Sequence, residues 1–419
     1  MIQKIKGTMD LLPDVTPLYR YIEGVMREEA GKYGFGEIRT PMFENTELFV
    51  RGVGDTTDVV QKEMYTFHDR DDDRSITLRP EGTAGVARAV IENGKYGDAM
   101  PLKYYYLISC FRHEAPQAGR SREFFQFGTE MFGSESAAAD ATIIALGASI
   151  FRRLGLSNVK LHINSIGCKC CRPKYREALV GHFSKHTEEI CDTCRTRLDK
   201  NPLRLLDCKS PICRAIAAEA PRTVDNLCPE CEAHFALLRR SLDAMGVDYV
   251  VDPGIVRGLD YYTRTVFEFI AEGIGAQSTV CGGGRYDGLI EELGGPALSG
   301  IGFGMGLTRV VLALEQAGLA NVAAPAPRLY IAALGEGALV EALAITERLR
   351  RDGVYVECDN MGRGLKAQMK YANKIGADYT LILGDSEIES GRAQLRDMKN
   401  SSQFEVELAT FHLPESNEG

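Results

Sequence analysis

Apolar and polar side chains alternate along Lys103–His113 and again along Glu123–Phe132, the period of two that a strand shows on its two faces. Counting by twos puts Tyr106, Ile108, Cys110 and Arg112 on one face of the first strand. On the second, Phe124, Gln126, Gly128 and Glu130 share a face, while Phe125, Phe127, Thr129 and Met131 take the other. One face thus gathers an arginine, an amide, a carboxylate and a flat aromatic, with a glycine making room, and the other is a packing surface. The division predicts a polar pocket lying on a sheet. A third alternating run ends the stretch Val256–Phe269, VRGLDYYTRTVFEF, in which Gly258 lets the chain bend. It places Tyr261, Thr263, Thr265, Phe267 and Phe269 on one face, with Tyr262, Arg264, Val266 and Glu268 on the other. Its partner stretch Cys281–Leu289, CGGGRYDGL, sets three glycines before Arg285 and Tyr286, which suits close approach of backbone to a ligand.

Helical periods fall between these strands. Leu18–Lys32 is amphipathic, with Ile22, Val25, Met26 and Ala30 apolar. Glu37–Phe43 is extended, Pro41 holding Thr40 out of the helical region. Ser75–Arg79 is a short strand ended by Pro80; Glu81-Gly82-Thr83 then turns, and Thr83 caps a helix over Ala84–Glu92. Phe235–Met245 is helical. Ser299–Leu314 carries glycines at 300, 302, 304 and 306, which let a ligand or second backbone pass close to a strand, before a helix from Leu307. After the linker Asn321–Pro327 the pattern changes to alternating strands and helices: Leu329–Leu334, Leu339–Arg351, Val354–Cys358, Gly364–Ile375 and Tyr379–Leu383. Two strands, Ala393–Met398 and Phe404–Leu408, follow, predicting a separate small α/β domain. On its second helix Leu365, Met369, Ala372 and Ile375 point inward, and Lys366, Lys370 and Lys374 form an outward row that suits phosphate.

Length adds that 419 residues make two or three domains. A net charge of −9 argues against a generally basic nucleic-acid binder but leaves local patches open. No run of about 18 apolar residues and no secretory h-region occur, which makes the cytoplasm the expected compartment, away from any membrane. Nine of the twelve cysteines crowd between Cys168 and Cys231. Their spacings are Cys168-x-x-Cys171 (Cys170 extra), Cys191-x-x-Cys194, Cys208-x4-Cys213 and Cys228-x-x-Cys231. Each CxxC puts two thiols on one tight turn, as tetrahedral Zn²⁺ requires. The pairs fit two Cys₄ sites or one site with spare thiols, and reduced thiols or redox chemistry remain alternatives. The other three, Cys110, Cys281 and Cys358, read as small packing hydrophobes.

RGLDYYTRTVFEF and GGGRYDGL resemble the two signature motifs of the histidyl-tRNA synthetase family, class II aminoacyl-tRNA synthetases, and the resemblance runs over nearly the whole chain. It implies an α+β protein: a class II antiparallel-sheet catalytic domain in two parts (1–165 and 246–320), a Cys-rich insertion (166–245) and a C-terminal α/β anticodon-binding domain (328–419). The opening Gly7–Pro13, GTMDLLP, is similar to the family's, with Met9 where arginine is more usual. The helix–strand–proline unit ending at Pro41 resembles motif 1 and implies a homodimer. The hairpin around FRHE (Phe111–Glu114) resembles motif 2. The resemblance puts Arg112 on the α-phosphate of ATP, Glu114 on the adenine amino group, Phe124 against the adenine face and Arg120 on the terminal phosphates. Motif 3 adds Arg309 over the adenine, with Thr308 where an acidic residue is usual.

For L-histidine the resemblance implies Glu81, Gly82 and Thr83 at the α-ammonium group, Glu130 with Tyr262 on the imidazole, and Tyr261 and Gln126 beside the substrate. Arg112 and Arg257, also counted among the histidine-binding residues, would clamp the α-phosphate from two sides and are the catalytic pair, with Mg²⁺ on the other phosphates. The loop Pro116–Arg122, including Gln117 and Arg122, would meet the acceptor end of tRNA(His), and the Lys366, Lys370, Lys374 row its anticodon end. The implied reaction makes histidyl-adenylate from histidine and ATP, then transfers the histidyl group to tRNA. The alternatives are the synthetase-like regulatory subunit of ATP phosphoribosyltransferase, another class II synthetase, or a zinc-linked RNA-binding protein. No Ser–His–Asp or metal-protease motif competes, and the P-loop and Rossmann glycine spacings are absent.

Overall fold

The computed structural model describes residues 1–413 apart from 56, 71–72, 201, 207, 209, 256–258, 260 and 275–277, and the side chain of Lys200. The chain divides into two compact units, Met1–Val322 and Ala323–Gly419.

In the first unit the strands are β1 (Gly36–Glu37), β2 (Phe43–Asn45), β3 (Tyr65–His68), β4 (Ser75–Leu78), β5 (Leu102–Phe111), β6 (Glu123–Phe132), β7 (Val159–Ser165), β8 (Val250–Val251), β9 (Thr263–Ala271), β10 (Thr279–Arg285) and β11 (Gly300–Gly306). Eight of them form one sheet in the order β1-β5-β6-β11-β10-β9-β7-β8. Neighbours from β5 to β7 are antiparallel, and only the short edges β1 and β8 pair in parallel. β2, β4 and β3 make a small separate sheet.

The period of two divides the large sheet as expected. Phe127, Met131, Phe267, Phe269, Ile301, Phe303 and Met305 point to one side and pack beneath the helices Thr16–Lys32, Ala137–Arg153, Pro229–Ala244 and Leu307–Gln316. Burial of these side chains, each worth about 1.5–3 kcal/mol relative to exposure, makes this layer the main core. The opposite face carries Tyr106, Ile108, Cys110, Phe132 and Tyr286 and meets the helix Thr83–Glu92 through Val86, Ala87 and Val90.

Two sequence-based expectations need correction. Tyr261 does not share a face with Phe267: Tyr261 and Tyr262 both lie with Val266 and Tyr286, whereas Phe267 and Phe269 lie in the opposite layer. The cause is a bulge. Gly284 pairs with Val266 but Arg285 pairs with Thr263, and Arg264 between them takes a left-handed φ of 52°. Thr83, in turn, is the first residue of its helix rather than the cap; the Glu81 carboxylate accepts from the backbone N–H groups of Thr83 and Ala84, both at 2.8 Å.

The segment between β7 and β8 holds short helices around a small core of Tyr175, Leu179, Phe183, Ile190, Leu198, Leu205 and Ile216. Its last helix, Pro229–Ala244, starts directly after Cys228, earlier than the apolar pattern alone places it, because Pro229 suits a first helical turn and the turn itself is polar.

The second unit is a five-stranded sheet of β12 (Leu329–Ala333), β13 (Val356–Cys358), β14 (Tyr379–Leu383), β15 (Arg392–Asp397) and β16 (Gln403–Glu407), ordered β13-β12-β14-β15-β16. Helix Glu336–Arg351 packs on one face through Ala338, Ala342 and Ile345, and helix Leu365–Lys374 on the other through Ala372. That helix also buries Gln368, whose amide both donates to and accepts from the backbone of Ala333 at 2.8 and 3.1 Å. The α+β architecture inferred from the sequence holds.

Candidate active site

The polar face of the sheet holds two adjoining features. The deeper one centres on Glu130, which is wholly buried. Its carboxylate accepts from the hydroxyls of Thr83 at 2.7 Å and Tyr106 at 3.1 Å, and from that of Tyr286. Close packing explains the glycine pattern. A Cβ on Gly302 would lie 2.0 Å from the Glu130 carboxylate and 2.2 Å from the Thr129 carbonyl, and one on Gly128 would lie 2.2 Å from the Tyr106 ring. Gly300 and Gly304 make room in the same way for Tyr286 and Gln126. Gly300, Gly302 and Gly304 of β11 are bare because each admits one side chain of the site; Gly306 faces open space.

Burial pushes the Glu130 carboxyl up to about 8, against the bonds from Tyr286, Thr83 and Tyr106, while the neighbouring charge of Glu81 adds to the rise. Glu81 is buried too and also raised, burial outweighing the N–H groups of Ala84 and Thr83 and the charge of Arg112. Because the ordinary value of the Glu130 carboxyl is 4.5 and its folded value about 8, the folded chain binds more protons than the unfolded chain between those limits. The stabilising contribution is therefore complete below 4.5 and is lost as pH rises through about 8, at up to about 1.4 kcal/mol per pH unit. We expect the unfolding free energy of the wild-type chain to fall with pH across this range relative to Glu130→Gln, measured by urea titration. Parallel pH profiles for the two proteins would contradict the assignment.

Tyr261 and Tyr262 close the same pocket, with ring centroids 4.6 Å apart and Tyr261 set edge-on to Tyr286 at 5.5 Å. Gly82 lies against the Tyr106 ring, leaving no space for a side chain. Arg257 falls outside the described residues.

The second feature is a cavity of about 410 Å³ over the outer part of the same strands. Glu114, Arg120, Phe124, Gln126, Thr308 and Arg309 line it, together with the backbone of β10. The face of β6 thus sends Phe124 and Gln126 into the cavity and Glu130 into the acidic pocket. Arg112 sits beside two of the lining residues: its Nη1 is 3.8 Å from Glu114, its guanidinium lies 5.4 Å from the Phe124 ring centre, and its Nε donates to the Pro80 carbonyl at 2.9 Å. Arg120 pairs with Glu114 at 3.1 Å. Arg309 donates to the carbonyls of Gly119 at 3.0 Å and Thr279 at 2.7 Å, so backbone acceptors orient it.

The loop above the cavity is braced by the chain's opening. The Arg122 N–H donates to Gly7 O at 2.7 Å, and a Cβ on Gly7 would meet Arg122 and Pro116 at 2.9 Å. Gln117 is exposed at the loop's tip, where it bridges to Arg120, and Arg122 is half-buried. In the second unit Lys366, Lys370 and Lys374 are all exposed on helix Leu365–Lys374.

The cysteines pair in a nested order that their spacing leaves open. Cys168, Cys171, Cys228 and Cys231 form one group, and Cys191, Cys194, Cys208 and Cys213 the other, with the sulfurs of each group within 4.8 Å of one another. Four thiolates about 2.3 Å from a tetrahedral ion stand roughly 3.8 Å apart. Cys168 is 3.8 Å from both Cys171 and Cys228, and Cys191 is 3.9 Å from Cys208. Cys170 is exposed and outside both groups.

Sequence reading did not find the hydroxyls of Tyr106 and Tyr286, although Tyr106 sits at the right period on its strand. Nor did it find Arg285's task. That side chain is fully buried and does not line the pocket; it holds Asp140 (Nε at 3.1 Å), Asp287 and the carbonyls of Ser134 and Ser136. His234, on helix Pro229–Ala244, completes Asp140 at 2.8 Å.

Residues 7–310 match the Histidyl-tRNA synthetase family, and residues 328–412 the Anticodon binding domain family. Two curated proteins named "Histidine--tRNA ligase" are close relatives. That of Caldanaerobacter subterraneus subsp. tengcongensis is 51% identical over 401 residues, spanning 96% of each chain, and that of Desulforamulus reducens is 52% identical over 408 residues, spanning 97% of each. The crystal structure of apo S. aureus histidyl-tRNA synthetase superposes with a TM-score of 0.83 at 38% identity, covering 98% of both chains. The chain belongs to the histidyl-tRNA synthetase family.

Proposed function

We propose that this chain is a histidine–tRNA ligase that activates L-histidine with ATP and passes the histidyl group to the 3′ end of tRNA(His). The observation that carries the reading is the sheet face on which a pocket of two buried carboxyl groups, Glu81 and Glu130, adjoins a cavity bordered by three arginines. Histidine brings an α-ammonium group and a ring N–H, and the oxygens of the two carboxyl groups can accept from both. In this reading Glu81 and Thr83, with Gly82 between them, hold the ammonium group, and Glu130, Tyr261 and Tyr262 read the imidazole. Gln126 stands between substrate and nucleotide.

Phe124 and Arg309 take the two faces of the adenine, and Glu114 accepts from its amino group. Arg112 and Arg257 grip the α-phosphate, and Arg120 the terminal phosphates. Attack of the histidine carboxylate on the α-phosphorus needs alignment and charge neutralisation rather than a protein nucleophile. Mg²⁺, which ATP use implies, would neutralise the leaving pyrophosphate, and Glu268 is a cavity-lining carboxylate suited to hold it.

Further roles rest on the same reading. The loop with Gln117 and Arg122 meets the tRNA acceptor end, and Lys366, Lys370 and Lys374 meet phosphates of the anticodon arm. The chain is a homodimer, supported by exposed Met42 and by Phe43 and Phe67 on the small sheet. Residues 166–245 are an insertion between catalytic segments 1–165 and 246–320, and 328–419 read the anticodon. The two cysteine groups hold structural Zn²⁺, which the sulfur spacing fits. Charging of purified tRNAs with labelled histidine tests the function. Esterification of tRNA(His) alone is expected, and failure to charge it in the presence of ATP and Mg²⁺ would overturn the proposal.

A further inference from the structure

The two cysteine groups sit differently. The inner group, Cys191, Cys194, Cys208 and Cys213, closes the insertion's own small core: Cys194 and Cys213 are buried among its apolar side chains. The outer group lies against the backbone that presents the tyrosines. Gly167, next to Cys168, accepts from the Arg264 N–H at 2.9 Å and the Thr263 hydroxyl at 3.3 Å. Ile166 N–H donates to the Arg264 carbonyl at 2.8 Å, so the left-handed residue of the bulge is held on both sides. Arg172, next to Cys171, donates to the carbonyl of Tyr262. Its helix, Arg172–Phe183, follows a turn in which the Cys168 carbonyl accepts from the N–H groups of Cys171 and Arg172 at 3.0 and 3.1 Å. Gly167 is packed tightly here, since a Cβ would stand 2.6 Å from that of Cys171.

The other half of the outer group reaches the second signature. Cys228 donates its N–H to the Cys171 sulfur at 3.1 Å and precedes helix Pro229–Ala244. That helix carries His234 to Asp140, which holds Arg285 at the end of the glycine strand. One four-sulfur group thus ties together two chain segments some sixty residues apart, Cys168–Cys171 and Cys228–Cys231. It is linked to the first signature strand through Gly167 and Arg172, and to the second through His234 and Asp140.

We infer that the outer cysteine group, loaded with Zn²⁺, is a positioning element of the histidine pocket: the metal clamps Gly167 and Arg172, and these set Tyr261 and Tyr262. The inference rests on the zinc reading above and goes beyond it in giving the two groups separate tasks. Zn²⁺ binding displaces the thiol protons and bonds all four sulfurs to one ion, so the loaded group ties the two segments far more firmly than four neutral thiols in contact.

The test uses the full chain, purified without chelator, with zinc content by mass spectrometry and KM values from histidine-dependent pyrophosphate exchange. The wild type should carry about two zinc ions per chain. Cys231→Ser should lose about one and raise the histidine KM roughly tenfold, the cost of a misplaced charge-assisted bond, with the ATP KM changed less than about twofold. Cys194→Ser should also lose about one ion but leave both KM values within about twofold. Arg172→Met should keep both ions and still raise the histidine KM about tenfold, and it decides the matter if Cys231→Ser does not fold. An unchanged histidine KM in Cys231→Ser or Arg172→Met, or an equal rise in Cys194→Ser, overturns the positioning role while leaving zinc in place. A wild-type chain without zinc overturns the zinc reading itself.

Discussion

Arg112→Gln is expected to slow formation of histidyl-adenylate by about a thousandfold while moving the histidine KM by no more than about threefold. Negative charge builds on the α-phosphate as the carboxylate attacks, and a fixed cation aimed there stabilises the transition state more than the ground state. Arg112 is built for that task. Its Nε is anchored on the Pro80 carbonyl, which fixes the guanidinium plane and leaves the Nη atoms as a fork beside Glu114 and Phe124. Glutamine keeps much of the side chain's length and a donor but no charge. Arg120 still holds Glu114 at 3.1 Å, so the adenine side of the cavity should survive the change. Single-turnover measurement of adenylate formation separates the outcomes. Equal losses in rate and in histidine affinity would mean that Arg112 serves ground-state binding, and a loss below tenfold would remove it from the reaction.

Arg285→Met should cost about 3–5 kcal/mol of stability, the usual result of leaving one partner of a buried ion pair without the other. Asp140 is completely buried; burial raises its carboxyl, yet His234 and Arg285 together hold it below the ordinary aspartate value. Without the guanidinium it retains His234 at 2.8 Å and the chain loses three further bonds, to the carbonyls of Ser134 and Ser136 and to Asp287. Urea unfolding of Arg285→Met, Asp140→Leu and the double variant tests the coupling. The double variant should lose less than the sum of the singles, because removing both charges leaves neither stranded. Strict additivity, or a loss under about 1 kcal/mol, would contradict it.

What the sequence revealed depended on regularity. The alternation in β5 and β6 placed Phe124, Gln126 and Glu130 on the polar face, and the structure keeps them there, because an unbroken strand has a fixed period. The same counting failed at Tyr261, where the bulge at Arg264 resets the face and nothing local in YYTRT announces a left-handed arginine. The Glu81-Gly82-Thr83 turn was legible as a helix start, but which side chain caps it depends on Glu130 claiming the Thr83 hydroxyl from β6, a contact 47 residues away. Spacing predicted thiol pairs on tight turns and was silent on which pairs meet, since nesting is a property of the insertion's fold. The three glycines before Arg285 suited close approach of backbone to a ligand. Gly283 and Gly284 serve close strand packing, a Cβ on Gly283 lying 2.1 Å from the Gly302 carbonyl, whereas Gly282 lines the cavity.

The central claim is that the acidic pocket selects histidine for activation by ATP. The most direct measurement is exchange of labelled pyrophosphate into ATP by the purified full chain with each amino acid in turn. Exchange that depends on histidine and on no other amino acid is the predicted result. No exchange with any amino acid, from folded protein with Mg²⁺ present, would contradict the account and favour a synthetase-like regulatory subunit that has kept the fold without the reaction.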